Sequence, residues 1–271
     1  MIRIETYIPR NLTHLVKNCW YLEVPAQLPQ PYQEDILPDG HHEIIFHLYP
    51  HVAQRKFSDT EWIEEPAAFI AGQTLTSYTL QLMPGARLYG IRFYPHTLSA
   101  FLKMPVPDPP TGITPLSDIL PAGNFMACIT AHPHTTFRRF EKLLTGMISS
   151  LQHSSGAYDY VHAAVREIML HKGNVSVDQL LHRTGVSAKY LDALFKKQVG
   201  LTPKAVSNII RFNHFVAWQK AHPDENYTAG SYETGYYDQS HLIRTFRQYT
   251  QQSPKAYFNS DTWINNVFVN I

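Results

Sequence analysis

Two groups of residues in this chain have the types and spacing to do chemistry. Asp39, His41, Glu43 and His47 alternate along a strand-like run and so share one face, with His42, Ile44, Phe46 and Leu48 on the other. Imidazole and carboxylate gathered on one face are donors for a divalent metal ion. The second group is carried on two helical segments: Ala188, Lys189, Asp192, Ala193 and Lys196, then Gln239, Ser240, Arg244 and Arg247. Polar side chains on an exposed helix face reach phosphates and base edges in a DNA major groove.

The helices that must position the second group form a repeat. The first copy runs from Val175 to Val206 and the second from Tyr227 to Phe258. Superposing Phe195 on Phe246 brings Leu191 onto Leu242, Pro203 onto Pro254, and Lys204-Ala205 onto Lys255-Ala256, an offset of 51 residues. Gly185 meets Gly235 at an offset of 50, so the second copy has one extra residue in the turn after that glycine. In each copy a short helix ends at glycine, where positive φ is cheap, and Ser187 or Asp238 opens the next helix by capping its free amides. Leu191, Leu194 and Phe195, or Leu242, Phe246 and Tyr249, turn inward. Pro203 to Lys220 reads as one helix joining the two units.

Residues 158–258 resemble the AraC-type DNA-binding domain, most clearly in GVSAKYLDALFKKQVGLTPKAV and GYYDQSHLIRTFRQYTQQSPKAYF. The resemblance implies two recognition helices, starting near Ala188 and Asp238, that enter adjacent major grooves. Base contacts then fall on Lys189, Asp192, Ala193, Gln239, Ser240 and Arg244, while Lys196 and Arg247 are expected at phosphates. The sequence departs from that family at Asp192 and Ala193, at Gly230-Ser231, where an aliphatic residue and Ala are usual, and at Gln251, where Gly is usual. Glycine inside a helix costs about 1 kcal/mol against alanine, which predicts a frayed leading helix in the second unit.

Ahead of this module the chain reads as sheet. Runs such as EIIFHL and LYGIRF lie between the turns Pro38-Asp39-Gly40 and Met83-Pro84-Gly85. After Pro95 the rhythm becomes helical. ILPDGHHEIIFHL, AFIAGQ and LYGIRFYP are similar to a cupin-like sensor domain found ahead of AraC-type modules. That similarity implies a small-molecule pocket, for which Trp20, Phe46, Tyr78, Tyr89 and Phe93 are the candidate aromatic lining. The expected fold is α+β: an antiparallel, cupin-like sheet with trailing helices over 1–156, then an all-α domain over 157–271. The boundary is placed at His153-Ser154-Ser155-Gly156.

The favoured reading has no metal and no cofactor, because 15 histidines will align a few on one strand and no His-x-His with a distant third histidine is evident. The lesser reading is a metal-dependent cupin-type enzyme with an accessory helical domain, its ligands starting from His41, Glu43 and His47. No Ser-His-Asp set, phosphate-cradling glycine loop or kinase-like set is seen, so catalysis is not expected. Composition agrees: 44% hydrophobic and 17% charged residues describe a folded chain. Net charge is +1, yet residues 1–156 hold 11 basic against 13 acidic side chains and residues 157–260 hold 12 against 8. The only cysteines, Cys19 and Cys128, make no CxxC. The expected location is the cytoplasm, without membrane contact. The expected partners are double-stranded DNA, a small-molecule effector, a second copy of the chain through helices around 137–152 and, if the outcome is activation, RNA polymerase.

Overall fold

The structure, a computed structural model, describes residues 2–57, 60–108, 112–148, 156–260 and 262–268. The sheet region opens with β1 (Arg3–Tyr7), β2 (Val16–Glu23), β3 (Tyr32–Ile36), β4 (His42–His47) and β5 (Ala53–Lys56). It continues with β6 (Ile63–Glu64), β7 (Ala68–Ala71), β8 (Tyr78–Leu82) and β9 (Arg87–Phe93). Helix α1 (Thr97–Leu102), strand β10 (Ile113–Pro115) and helices α2 (Ala122–Met126) and α3 (Pro133–Ile148) follow.

All pairings are antiparallel, in a six-stranded sheet of order β1-β2-β9-β4-β7-β10 and a four-stranded sheet of order β3-β8-β5-β6. Strand structure thus begins well before Ile36, where the sequence pattern first reads as sheet. The reason is burial on both faces: in β2 Cys19, Trp20, Tyr21 and Leu22 are all buried, which erases the period-two alternation that marks a half-exposed strand.

The larger sheet separates two cores. Ile44, Phe46, Tyr89, Ile91 and Phe93 leave one face and pack on Phe125, Phe137, Phe140 and Leu144 of α2 and α3. Trp20, Leu22, Ile45, Phe69 and Leu88 leave the other face and meet Ala53, Leu80 and Leu82 of the smaller sheet. Gly90 makes room there. A side chain at this position would overlap the Trp20 ring, which lies on the bare backbone.

The helical region comprises α4 (Ala157–Leu170), α5 (Val177–Thr184), α6 (Ala188–Gln198) and α7 (Pro203–Ala221). The second unit has α8 (Tyr227–Glu233), α9 (Gln239–Thr250) and α10 (Pro254–Phe258), with α11 (Trp263–Phe268) after it. Of the expected boundary His153–Gly156, residues 153–155 lie outside the described residues, as do 149–152 of the segment expected to dimerise. The linker helix ends one residue beyond its expected end.

The glycine departure in α8 has a packing cause. A Cβ on Gly230 would stand 2.8 Å from Phe215 and 2.9 Å from Trp218, so the missing side chain lets α8 sit directly on α7. Expected fraying is replaced by a close helix contact, with Gly230 itself buried. Gly230→Ala gains helix propensity but overpacks this contact, and is expected to lower stability by about 1–3 kcal/mol in thermal unfolding. An unchanged or raised melting temperature would show that the contact is loose.

Candidate nucleic-acid interface and inter-sheet cavity

Each helix-turn-helix is built by short-range chemistry. Ser176 caps α5 in a reciprocal capping box with Gln179. Gly185 closes the helix at φ +71°, and Ser187 caps α6 through the Tyr190 amide. In the second unit Asn226 caps α8, Gly235 turns at φ +76°, and Asp238 accepts from the His241 amide at 2.6 Å to open α9. The extra residue in the second turn separates two tyrosines. Tyr236 points in, its ring under the Arg211 guanidinium at 4.9 Å, and Tyr237 is 86% exposed.

Leu191, Leu194 and Phe195 of α6, and Leu242, Phe246 and Tyr249 of α9, are buried. The opposite faces expose all nine residues named from the repeat: Ala188, Lys189, Asp192, Ala193 and Lys196 on α6, with Gln239, Ser240, Arg244 and Arg247 on α9. Among the described residues Lys189, Lys196, Arg244 and Arg247 form no ion pair. Gln239 is less free, because its side-chain oxygen accepts from Thr228 at 2.7 Å. Helix α7 has 19 residues, a rod of about 28 Å at 1.5 Å per residue, with one unit packed toward each end. Sequence reasoning passed over Tyr237, the second of two adjacent tyrosines in the turn and the one that is exposed. At Gln251 the backbone takes φ +58°, a conformation that costs a residue other than glycine about 1 kcal/mol.

The sheet domain is docked against both units. The Val106 amide donates to the Lys197 carbonyl at the end of α6, and the Ser77 amide to the Tyr249 carbonyl at the end of α9. Asn213 of α7 donates to the Pro38 carbonyl at 3.0 Å, and Leu37 joins the apolar core of the second unit.

Between the two sheets lies a cavity of about 80 Å³. Of the five aromatics expected to line a pocket, Trp20 and Tyr78 do. Phe46, Tyr89 and Phe93 do not: they stand on the other face of their sheet, in the core against α2 and α3, because neighbouring strand positions point to opposite sides.

The cavity wall is charged. Arg92 bonds Asp39 at 2.6 Å and Glu43 at 3.3 Å, and Arg55 bonds Glu65 at 2.7 Å, whose other oxygen meets His47 at 3.1 Å. Burial pushes the Glu43 carboxyl up to about 7 against the pull of Arg92. Burial also opposes ionisation of Asp39, but Arg92 and His41 outweigh it and hold that carboxyl below its usual range. Burial with Arg92 and Lys17 nearby drives His41 down to about 3. His41 and Glu43 both lie against Arg92 while His47 bonds Glu65, and among the described residues no group of three or more His, Cys, Asp or Glu is placed to hold a metal ion. Among the same residues no helix is long and apolar enough to cross a membrane.

Residues 5–108 match a domain of unknown function, DUF6597, and residues 180–260 match the family described as a helix-turn-helix domain. No curated protein sequence matches the chain. Among solved structures it is similar to ToxT from Vibrio cholerae, at 9% identity and a TM-score of 0.45, over 94% of this chain and 97% of that one. It is similar also to the AraC-like transcriptional activator CuxR, at 11% identity and a TM-score of 0.24, over 99% and 91%. Two capped helix-turn-helix units at a 51-residue offset, behind an antiparallel sheet domain, lie in and around the matched span, and residues 180–260 of this chain belong to the helix-turn-helix family.

Proposed function

We propose that the chain reads double-stranded DNA with α6 and α9 in two adjacent major grooves, under the control of a small molecule held between the sheets. One observation carries the DNA half: all nine residues picked from the repeat are solvent-exposed on the two recognition helices, and the four cations among them have no protein partner among the described residues. The α7 rod of about 28 Å suits two helices that must serve grooves one turn, or roughly 34 Å, apart. Tyr237, beside the α9 cap, adds an aromatic surface for the sugar-phosphate backbone. In this reading residues 1–156 form the sensing part and 157–271 the DNA-binding part, with no catalytic role for either.

Arg244→Ala is expected to weaken operator binding by about 1–3 kcal/mol and to relax preference at one base pair, since arginine can bond both guanine acceptors. Lys196→Ala and Arg247→Ala should weaken all sequences alike and each lower the salt slope by about one. Titration of the three variants against one operator and one scrambled duplex at several salt concentrations tells the roles apart. Unchanged affinity in all three would remove the DNA assignment from this face.

The effector half rests on the cavity, which has a buried guanidinium, Arg92, in its wall and touches residues of the helical region. A thermal-shift screen of small metabolites on the full chain tests it. Hits should raise the melting temperature and lose that shift in Trp20→Ala; a screen without such a hit argues against a small-molecule effector.

A further inference from the structure

The cavity is not left to solvent alone. Helix α11 leaves the second DNA-binding unit and returns to the sheet domain. Ile264 is buried in the inter-sheet core, and the Ile264 and Asn265 amides both donate to the Glu34 carboxylate at 2.8 Å. The Asn265 side chain accepts from the Leu37 amide at 3.1 Å and donates to the Asp35 carbonyl at 2.7 Å. These contacts bring Phe268 to the cavity. Its ring meets Trp20 edge-on at 5.4 Å, the Arg92 guanidinium sits 4.8 Å from the ring centre, and Arg92 Nη2 donates to the Phe268 carbonyl at 3.2 Å.

Four polar atoms of the cavity wall, Arg92 Nε, His41 Nε2, Trp20 Nε1 and Gln73 Nε2, have no hydrogen-bond partner among the described residues, although Arg92 and His41 are only 1% and 5% exposed. A buried polar atom left alone carries a desolvation cost that nothing offsets, so the site has unused capacity for a polar ligand. Nε and Nη2 are the two donors on one edge of a guanidinium, the edge that grips a carboxylate side-on.

We propose that the effector is a 3-arylpropanoate, which takes the place of Phe268 and so frees α11 from the sheet domain. Phenylalanine's ring is separated from its carbonyl carbon by two carbons, as the ring of a 3-arylpropanoate is separated from its carboxylate. The ligand ring takes the position between Trp20 and Arg92. Its carboxylate takes over the Nη2 bond made by the Phe268 carbonyl and adds Nε. The anion gives the ligand what the tail lacks, a charge-assisted pair of hydrogen bonds. Release of α11 carries to the DNA-binding part because Lys220 of α7 donates to Asn266 at 2.6 Å. This inference rests on the effector reading of the cavity.

Calorimetric titration of the full chain with 3-phenylpropanoate tests it. Phe268→Ala removes the internal competitor and should bind the probe at least tenfold more tightly than the unaltered protein. Asn265→Ala loosens α11 without touching the ring site and should tighten binding in the same direction. 3-Phenylpropanol, which lacks the anion, and 3-cyclohexylpropanoate, which lacks the π face, should each bind at least tenfold more weakly. In the unaltered protein saturating probe should speed hydrogen exchange at Ile264 and Asn265. Equal affinity for all three proteins overturns the competition, and no binding to any of them overturns the ligand class. Either result leaves the effector reading to the metabolite screen, which assumes no ligand class.

Discussion

Arg55→Ala should destabilise the protein by about 3–5 kcal/mol, the cost of leaving a buried charge without its partner. Arg55 and Glu65 are both at most 3% exposed and are bonded at 2.7 Å. The guanidinium also lies 4.3 Å from the Tyr78 ring centre and 5.4 Å from that of Phe69, so the substitution opens a void as well. Burial opposes ionisation of Glu65, and Arg55 overcomes this to hold the carboxylate charged. Without Arg55 that balance reverses and Glu65 should take up a proton. Urea unfolding at neutral pH measures the loss. The pair Arg55→Met with Glu65→Leu should recover most of it, because replacing a buried ion pair by apolar side chains of similar size is close to neutral. A single-variant loss below about 1 kcal/mol would mean that water reaches the pair.

Acidification should weaken the fold well above the range in which carboxylates titrate. Burial drives His41 to about 3, His42 to about 4 and His96 to about 3, the last with His162 beside it at 3.0 Å. Groups with depressed values contribute stability that is fully present above the unfolded value near 6.5 and is lost as pH falls below it. Each lost group is worth up to about 1.4 kcal/mol per pH unit. Glu43 works the other way: its raised value of about 7 gives stability as pH falls through neutrality, one group against three. Asp39 and Glu65, both depressed, add further loss only near and below pH 4. The net expectation is a drop of about 3 kcal/mol between pH 6.5 and 5, read from urea midpoints in buffers of equal ionic strength. A flat profile over that window would show that these histidines are already protonated in the fold.

The DNA-binding part was legible residue by residue because its determinants are local. A glycine at positive φ, a serine or aspartate cap and an apolar triad at helical spacing all act within about twenty residues, and repetition at a fixed offset lifted each of them above chance. The sheet was legible as a class from its turns, though not at β2, where burial on both faces hid the alternation, nor at β1, a five-residue edge strand with no buried residue. The run from Asp39 to His47 was correctly seen to offer one face of acids and imidazoles. What those side chains do depends on Arg92 and Arg55, brought in by strands 49 and 12 residues beyond Glu43, and no local pattern announces which carboxylate a distant guanidinium will take.

By itself, then, the sequence determined two capped helix-turn-helix units, the helix between them, the residues on their outer faces and an antiparallel sheet ahead of them. Tertiary structure decided the rest. Strand pairing set which aromatics face the cavity and which face α2 and α3: Trp20 and Tyr78 went one way, Phe46, Tyr89 and Phe93 the other. Chain return set the docking of α11, which joins Glu34 to Ile264 and Asn265 across some 230 positions. Backbone propensity and capping are short-range energies written in neighbouring residues. Cavities, buried ion pairs and domain contacts are long-range, and exist only once loop closure has brought distant segments together.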